Sequence, residues 1–228
     1  METNLYPLSI ETVKLRGLYL EYSAIILAGG KSKRLGDEKG FVILNGKPLV
    51  LHVLERIEDI VDEIIVTVSS KEQKQRFAKI LRNKAKIVVD KLNFNSPLVG
   101  ALTGFETATG ESSLLLPCDT PFISRQIASF LLDVCKNRAA AIPRWPDGKI
   151  EPLQASYNTE MALKASEEAL SEGKFDMRSM ISKLHGVRYI STLVIKEFDP
   201  ELLTFFNINT PLDLKRAEKI ISSRKKPI

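Results

Sequence analysis

The sequence has few of the residues that indicate a disulfide framework or a thiol- and imidazole-based metal site. Its 228 residues include two cysteines and two histidines. Cys118 and Cys135 form no CxxC pair, and His52 and His185 lie far apart in the sequence. Disulfide scaffolds and cysteine-rich zinc sites require more cysteines at closer spacing. A reducing compartment is therefore predicted, without a structural zinc ion.

Long apolar runs are missing as well. No stretch approaches the roughly 20 residues that span a bilayer. Residues 1–22 lack the basic start and the apolar centre of a signal peptide. We therefore predict a cytoplasmic protein without a membrane segment. Residues 1–22 are interpreted as an N-terminal extension and residues 23–228 as one domain, because no repeat or low-complexity linker divides them.

The composition is that of a globular protein, with 44% hydrophobic and 27% charged residues. The formal net charge is +5, which favours anionic ligands but does not separate nucleotides from nucleic acids. Lys and Arg are scattered along the chain, but four of them follow two glycines in the segment AIILAGGKSKRLGDEKG (24–40), which has no interleaved aromatic residues. That pattern argues against binding of a nucleic-acid strand. The basic tail 222–228 is interpreted as a solvated end.

Apolar runs rich in β-branched residues alternate with amphipathic stretches along the chain. The predicted strands are residues 24–28, 63–70, 86–89, 113–117, 139–143, 152–157, 186–190 and 203–209. The predicted helices are residues 47–60, 71–83, 98–108, 124–137, 158–173, 177–184 and 210–223. This alternation predicts an α/β fold, namely a single-domain, doubly wound, mostly parallel sheet flanked by helices and Rossmann-like in architecture.

A glycine turn follows the first predicted strand. Ligands of open parallel sheets bind beyond the carboxyl ends of the strands, where Leu27, Ala28, Gly29 and Gly30 lie. Glycines let the backbone approach a ligand and turn its N–H groups onto phosphate oxygens. The segment matches neither GxxxxGK[ST] nor GxGxxG, so it is not a P-loop or a dinucleotide fingerprint.

The cations after this turn narrow the choice of ligand. Arg34 can fork across two phosphate oxygens, and Lys39 supplies a compact positive charge. Such a loop suits a triphosphate. The alternative is a glycine turn followed by solvated lysines.

Asp119 directly follows the predicted strand at 113–117, at the same edge of the sheet as the glycine turn. Magnesium binds oxygen ligands, commonly one or two carboxylates together with substrate phosphates. Asp119 is therefore a candidate ligand for a magnesium ion on a nucleotide. The alternative is that it caps the following helix, a common role for an aspartate at a strand end.

The segment LAGGKSKRLGDEKGFVILNGKPLVLHVLERI (27–57) resembles the LAGGxSxRxGxxK signature of nucleotidyltransferases with a GT-A-like fold. LLLPCDTPFIS (114–124) and NINTPLDL (207–214) resemble the PCDxP and NxNTPxDL segments of the molybdenum cofactor guanylyltransferases, the MobA family. The glycine signature is shared with cytidylyl-, uridylyl- and sugar-nucleotidyltransferases, whereas its combination with the two later segments is more specific. The resemblance extends from about residue 24 to about residue 220.

The resemblance implies that GMP is transferred from GTP to the phosphate of molybdopterin or its metal-loaded form, with release of pyrophosphate and with Mg²⁺ bound by Asp119. It also implies that Asp90 contributes to nucleotide binding, although a turn aspartate is the alternative. The implied catalytic residues are Arg34, Lys39 and Asp119. The implied nucleotide-binding residues are Leu27, Ala28, Gly29, Gly30, Lys39, Asp90 and Asp119. Transient contact with other enzymes of cofactor biosynthesis or with recipient enzymes is a further expectation, whereas nucleic acid and membrane are not expected partners.

Nucleotidyl transfer needs positioning and charge neutralisation rather than a covalent nucleophile. No serine, cysteine or histidine nucleophile is recognisable in the sequence, in agreement with this reaction. Candidates for binding the acceptor lie in the second half of the chain. They are the segment GKIEPLQASY (148–157), which resembles the EPLxAxY segment of the family, and the residues Arg144, Lys149, Lys174, Arg178, Asn207 and Asn209. NSPLVGALTGF (95–105) resembles a GPLxGxxxG segment of the family, but Ser96 replaces the first glycine.

Two other classes of function remain open. One is a nucleotidyltransferase with another base or acceptor, such as CTP with molybdopterin, or a sugar or polyol phosphate. The other is a noncatalytic nucleotide-binding subunit. The glycine turn does not separate guanylyl transfer from the other nucleotidyl transfers, because it contacts phosphates rather than bases. Lys39 and Asp119 argue against the noncatalytic subunit.

Overall fold

The chain alternates between strands and helices around one seven-stranded sheet in the computed structural model, which describes residues 20–30, 38–92 and 94–224. The described strands are β1 Tyr22–Leu27, β2 Ile43–Leu44, β3 Lys47–Pro48, β4 Glu63–Val68, β5 Lys86–Val89, β6 Ser112–Pro117, β7 Ala140–Arg144, β8 Ala155–Asn158 and β9 Val187–Ser191. The order in the sheet is β5-β4-β1-β6-β8-β7-β9, and β2 and β3 form a separate antiparallel hairpin.

Six of the seven strands in the sheet run in the same direction. β1 is parallel to β4 and to β6, β4 is parallel to β5, and β7 is parallel to β9. β8 is antiparallel to both of its neighbours, β6 and β7. The predicted α/β fold with a mostly parallel sheet is therefore confirmed.

The helices cover both faces of the sheet. In the described ranges they are α1 Leu49–Ile57, α2 Lys71–Leu81, α3 Pro97–Thr107, α4 Arg125–Cys135, α5 Thr159–Ser171, α6 Met177–Ile181, α7 Thr192–Lys196 and α8 Pro211–Arg224. Short 3₁₀ helices occupy Lys39–Phe41 and Leu203–Phe205. The six helices from α2 to α7 each begin after a Ser, Asn or Asp whose side chain accepts a backbone N–H of the first turn. These caps satisfy donors that have no partner within the helix.

Alternate residues of the central strands serve different cores. Ala24 and Ile26 of β1 pack with Val66 into the core under α1, α2 and α4. Ile25 and Ile65 point to the opposite face, into the core under α3, α5 and α6. A strand that is buried on both faces reads as a continuous apolar run, which is why the central strands were recognisable in the sequence.

The predicted strand at 203–209 is wrong. Leu202 adopts a left-handed conformation (φ 51°) and leads into the 3₁₀ helix Leu203–Phe205. Leu203 and Ile208 pack into a small core formed with the β2–β3 hairpin and α8. Their apolar character therefore reflects packing beneath a loop rather than pairing in a sheet.

Smaller differences occur elsewhere. Pro48 precedes α1 as its N-cap and pairs with Ile43 in the hairpin, instead of occupying the first helical position. The predicted strand at 152–157 begins at Ala155, so its first three residues are free to line a cleft. By contrast, α8 starts as predicted, with Pro211 first and with the Asp213 N–H donating to the Thr210 hydroxyl at 3.2 Å. None of the described helices is long and apolar enough to cross a bilayer.

Candidate active site

A cleft opens at the carboxyl edge of the sheet, where the ends of neighbouring strands are level. Leu27 at the end of β1 lies beside Thr67 of β4 and Pro117 of β6. The cavity has a volume of about 340 Å³. Residues from the first, middle and last thirds of the chain line it, including Gly29, Gly30, Lys39, Asp90, Asp119 and Asn209. The topology thus brings together candidate residues that lie up to 180 positions apart in the sequence.

The glycine turn has one tight and one open position. A Cβ atom added to Gly29 would lie 3.1 Å from the backbone nitrogen of Ser69, so glycine permits a close backbone approach there. A Cβ atom added to Gly30 would meet nothing within 4 Å. Leu27 also lines the cleft, whereas the side chain of Ala28 is buried in the core and does not. Arg34, together with Lys31 and Lys33, lies outside the described residues.

Lys39 and Asp119 form an ion pair that lines the cleft. The Lys39 ammonium donates to the Asp119 carboxylate at 2.6 Å and to the side-chain oxygen of Asn209 at 2.5 Å. The side chain of Asp119 is 6% exposed and that of Lys39 is 27% exposed. In this environment the interaction is stronger than a surface ion pair, and each charge depends on the other for compensation. Asn209 was expected on the acceptor side, whereas the structure places it against Lys39.

The capping alternative for Asp119 does not agree with the structure. The following helix, α4, begins at Arg125, and Ser124 is its N-cap. Asp119 uses its backbone carbonyl to accept the Ile208 N–H at 2.9 Å. This bond fixes the loop that carries Asn209 beside the end of β6. The Asp119 carboxylate is therefore oriented towards the cleft rather than used in a helix cap.

Asp90 presents a second carboxylate to the cleft, directly after β5. Its Oδ1 atom is buried and has no hydrogen-bond partner in the described part of the chain. Burial raises the pKa of Asp90 to about 6, and the nearby Thr103 hydroxyl limits the rise. An unpaired buried acceptor is costly, so a ligand that donates a hydrogen bond to Asp90 would gain affinity.

The described residues contain no group of three or more His, Cys, Asp or Glu residues that could by themselves enclose a metal ion. Magnesium does not need such a cage, because it commonly uses one or two carboxylates and takes further ligands from substrate phosphates and water. Asp119 fits that donor set. Cys118 beside it is 3% exposed, and burial raises the pKa of its thiol far above the usual value. A nucleophilic thiolate is therefore not available at neutral pH.

The segment 148–157, expected on the acceptor side, contributes two lining residues that were not singled out individually from the sequence. Glu151 and Gln154 both face the cleft. Glu151 accepts the Trp145 indole N–H at 2.6 Å, and Gln154 donates to the Thr204 carbonyl at 2.7 Å. Both belong to EPLQASY (151–157), and the resemblance of this segment to the EPLxAxY pattern of the family is the sequence signal that indicates it.

The four cations expected to bind the acceptor do not line the cleft. The Arg144 guanidinium lies 5.7 Å from the centroid of the Tyr189 ring, and Lys149 and Lys174 form ion pairs with neighbouring acidic residues. Arg178 belongs to α6 and is also absent from the lining. The expectation that these side chains form the acceptor site is therefore not supported by their positions.

Comparison with known proteins defines the class first. The chain superimposes with a TM-score of 0.67 on 2-C-methyl-D-erythritol 4-phosphate cytidylyltransferase from Thermus thermophilus, over 89% of this chain and 99% of the other at 20% identity. At that identity the likeness shows the fold alone, which this chain shares with that cytidylyltransferase.

More similar proteins define the family. The chain is 34% identical to a probable molybdenum cofactor guanylyltransferase from Methanosarcina mazei, over 85% of this chain and 88% of the relative. It superimposes with a TM-score of 0.76 on molybdopterin-guanine dinucleotide biosynthesis protein A from Archaeoglobus fulgidus, over 88% of this chain and 99% of the other at 29% identity. The model of the MobA-like NTP transferase domain matches residues 24–187. The chain belongs to this family and is a nucleotidyltransferase, which confirms the resemblance drawn from the three sequence segments.

Proposed function

We propose that this protein transfers GMP from GTP to the phosphate of molybdopterin or of its metal-loaded form, releasing pyrophosphate. The observation that carries the proposal is the partly buried Lys39–Asp119 pair beside the glycine turn, in a cleft at the carboxyl edge of the sheet. The names of the relatives from Methanosarcina mazei and Archaeoglobus fulgidus support guanine as the base and molybdopterin as the acceptor. The proposed catalytic domain is residues 23–228.

The proposed reaction is an in-line displacement at the α-phosphorus of GTP. An oxygen of the acceptor phosphate forms a bond to the α-phosphorus, and the bond from that phosphorus to the bridging oxygen of the β-phosphate breaks. Pyrophosphate leaves with the electron pair of that bond. The protein then has to hold the two phosphates in line and compensate negative charge, which is the usual basis of catalysis in such transfers.

The cleft residues divide these tasks by their chemistry. Gly29 and Gly30 expose backbone at the edge where the triphosphate would lie, and Lys39 supplies a cation that Asn209 and Asp119 hold in place. Arg34 is proposed as a second phosphate ligand because of its position in the basic segment. Asp90 is proposed to accept a hydrogen bond from the nucleoside, since its Oδ1 atom has no partner in the described part of the protein.

Asp119 is the proposed ligand for Mg²⁺, with phosphate oxygens and water completing the coordination. When bound there, magnesium would neutralise charge on the phosphates and favour departure of pyrophosphate. Glu151 and Gln154 are proposed to face the acceptor, because they line the same cleft as the glycine turn. The Glu151 carboxylate can accept hydrogen bonds, and the Gln154 amide can donate and accept them. This combination suits a heterocycle that carries both hydrogen-bond donors and hydrogen-bond acceptors.

The test is a transfer assay with purified molybdopterin, Mg²⁺ and each of the four ribonucleoside triphosphates. Pyrophosphate release should depend on molybdopterin and should be fastest with GTP, and chromatography should detect the guanine dinucleotide product. Faster transfer with CTP would instead identify a cytidylyltransferase. Binding of GTP without pyrophosphate release in the presence of molybdopterin would leave a noncatalytic nucleotide-binding subunit.

A further inference from the structure

Helix α2 and the residues just before it contact two parts of the basic segment 24–40. The first is the glycine turn Gly29–Gly30, and the second is the 3₁₀ helix Lys39–Phe41, which begins within the segment. The side chains involved are Gln73, Arg76 and Phe77 of α2, with Ser69 just before the helix. None of these four residues was singled out from the sequence.

The contact with the glycine turn runs through Ser69. Its hydroxyl lies 3.0 Å from the Gly29 carbonyl and 3.0 Å from Oε1 of Gln73, and its backbone N–H donates to the same Oε1 atom at 2.8 Å. A hydroxyl has one proton and donates to one of these oxygens at a time. The backbone N–H of Ser69 already bonds to Gln73, so Ser69 is held in place when its hydroxyl donates to the Gly29 carbonyl.

The role of Gln73 differs from ordinary helix capping. Ser70 is the N-cap of α2 and accepts the Gln73 N–H, so Gln73 is the third helical residue. In a capping box the side chain at this position bonds back to the N-cap N–H. Gln73 instead bonds to Ser69, one residue earlier, which touches Gly29. Gln73 is 2% exposed, and its Nε2 atom has no partner among the described residues. Within the described residues, the side chain of Gln73 therefore makes its hydrogen bonds to Ser69.

The contact with the 3₁₀ helix and the residue before it involves Arg76 and Phe77. The Arg76 guanidinium donates to the Glu38 carboxylate at 3.0 Å and lies 3.9 Å from the centroid of the Phe41 ring. The Phe77 ring stacks on Phe41 with centroids 4.2 Å apart. These contacts fix the residues on either side of Lys39, whose ammonium reaches Asp119.

We propose that Gln73 and Arg76 are positioning residues for the reaction. Gln73, through Ser69, holds the Gly29–Gly30 backbone at the cleft, and Arg76, through Glu38 and Phe41, holds the 3₁₀ helix that carries Lys39. The proposal rests on the proposed function, in which these two elements bind the triphosphate. α2 thus sets the distance between the backbone donors and the cation without itself lining the cleft.

The two residues should affect different kinetic constants. In the proposed reaction the glycine backbone binds the triphosphate equally well in the ground state and in the transition state. Loss of an interaction of this kind raises KM and leaves kcat unchanged. Lys39 compensates charge that develops in the transition state, so its misplacement lowers kcat. Gln73→Met, which keeps the length of the side chain, should raise KM and Kd for GTP by about five- to ten-fold with kcat within about two-fold. Arg76→Met should lower kcat/KM by about five-fold, mainly through kcat.

Two further variants serve as comparisons. Lys79→Ala removes a positive charge from an exposed position of the same helix, away from these contacts, and should leave both constants unchanged. Arg76→Lys keeps the charge opposite Glu38 and should recover part of the lost kcat/KM. Thermal unfolding of each variant shows whether it is folded at the assay temperature.

GTP binding is measured separately, by calorimetric titration without molybdopterin. Wild-type KM, Kd and kcat in folded Gln73→Met and Arg76→Met would overturn the inference, and so would a lower melting temperature with unchanged constants. If the wild type binds GTP but transfers nothing, the proposed function fails, and the change in Kd for Gln73→Met still decides the role of that residue. Wild-type protein that binds no triphosphate would overturn both.

Discussion

Lys39 is the residue on which the charge balance of the cleft depends most directly. Its ammonium group compensates Asp119 and lies where a triphosphate would add more negative charge. Lys39→Ala should reduce turnover by about 10²-fold or more, comparable to removing a preorganised electrostatic donor. Steady-state guanylyl transfer at saturating GTP measures this loss.

The same variant leaves the Asp119 carboxylate buried without its cation. A decrease in stability is expected because an uncompensated buried charge is unfavourable. The matched control is Lys84→Ala, which removes a lysine that pairs with Glu58 at the surface and should leave both turnover and melting temperature nearly unchanged. Near-normal turnover of Lys39→Ala would show that the loop does not bind the triphosphate as proposed.

A substitution at Asp119 can separate the effect of its negative charge from the effect of its hydrogen bond with Lys39. Asp119→Asn keeps the size of the side chain and an oxygen that can accept from Lys39, but it loses the charge that attracts magnesium. A severe loss of transfer is expected, with the magnesium dependence shifted to higher concentration. Pyrophosphate release over a magnesium titration measures both quantities. A wild-type magnesium curve in this variant would leave the metal without its proposed ligand.

Asp90 should make the protein sensitive to pH near 6. Its pKa is about 6 in the folded protein and 3.8 as the ordinary value. Between these values the folded state binds more protons than the unfolded state, so the contribution of Asp90 to the free energy of unfolding decreases as pH rises through 6. Asp90→Asn should remove this decrease and stabilise the protein at pH 7 by roughly 1 kcal/mol, a figure reduced for partial solvent exposure.

The same substitution should weaken nucleotide binding, because the ionised carboxylate is the better acceptor for nucleoside donors. Chemical denaturation at pH 5 and pH 7.5 and the KM for GTP at pH 7.5 test the two effects. If Asp90→Asn instead destabilises the protein equally at both pH values, Asp90 is ionised at both of them and has a favourable partner, which contradicts the prediction.

At the scale of elements, the position of Lys39 depends on how closely its 3₁₀ helix approaches α2. A Cβ atom added to Gly40 would lie 2.7 Å from the Cζ atom of Phe77, a ring that is fully buried. Gly40→Ala should therefore displace the 3₁₀ helix, cost about 1–3 kcal/mol as an overpacked core site, and lower kcat. Urea unfolding and transfer kinetics measure these changes.

A second substitution distinguishes crowding from backbone effects. Phe77→Leu shortens the side chain opposite Gly40, so the double variant should recover part of the stability lost in Gly40→Ala. A double-mutant cycle gives the interaction energy between the two positions. Strictly additive effects would show that Gly40 is required for another reason, such as backbone freedom.

The elements that the sequence predicted well are those buried on both sides. β1, β4 and β6 read as apolar runs, and α1 and α4 show regular helical spacing over most of their length. The strand predicted at 203–209 is wrong because the apolar residues of this segment pack under a loop, where packing imposes no regular spacing. The β2–β3 hairpin, with two residues in each strand, is too short to produce a pattern.

The candidate site divides in the same way. Gly29, Asp90 and Asp119 follow strands of one parallel sheet, and their meeting at one edge could be predicted from that arrangement. The contact of Asn209 with Lys39 joins two loops 170 residues apart, and no spacing rule indicates it. Gln73 was not predicted, because no sequence signal tells whether a glutamine in the first turn of a helix caps that helix or holds another segment in place.

At the scale of the whole molecule, the cleft joins the two halves of the sheet. β1, β4 and β5 bring the glycine turn and Asp90, whereas β6, β8 and the loop before α8 bring Asp119, Gln154 and Asn209. The order of the strands changes direction at β1, which is where ligands of open α/β sheets bind. A ligand that contacts residues from both halves of the sheet would therefore stabilise the whole folded protein against unfolding.

Binding of GTP with Mg²⁺ should consequently raise the melting temperature. A ligand that binds the folded state at 100 times its Kd adds about 2.7 kcal/mol. For a domain of this size, each kcal/mol corresponds to about 2–4 °C, so a shift of roughly 5–11 °C is expected. CTP, UTP and ATP at the same concentration should give smaller shifts, because they share the phosphate contacts but not those of the guanine base. Lys39→Ala should reduce the shift with every nucleotide, whereas Asp90→Asn should reduce the differences between them if Asp90 contacts the base. Equal shifts with all four triphosphates in the wild type would mean that the cleft reads phosphates alone, and that guanine is not selected at the binding step.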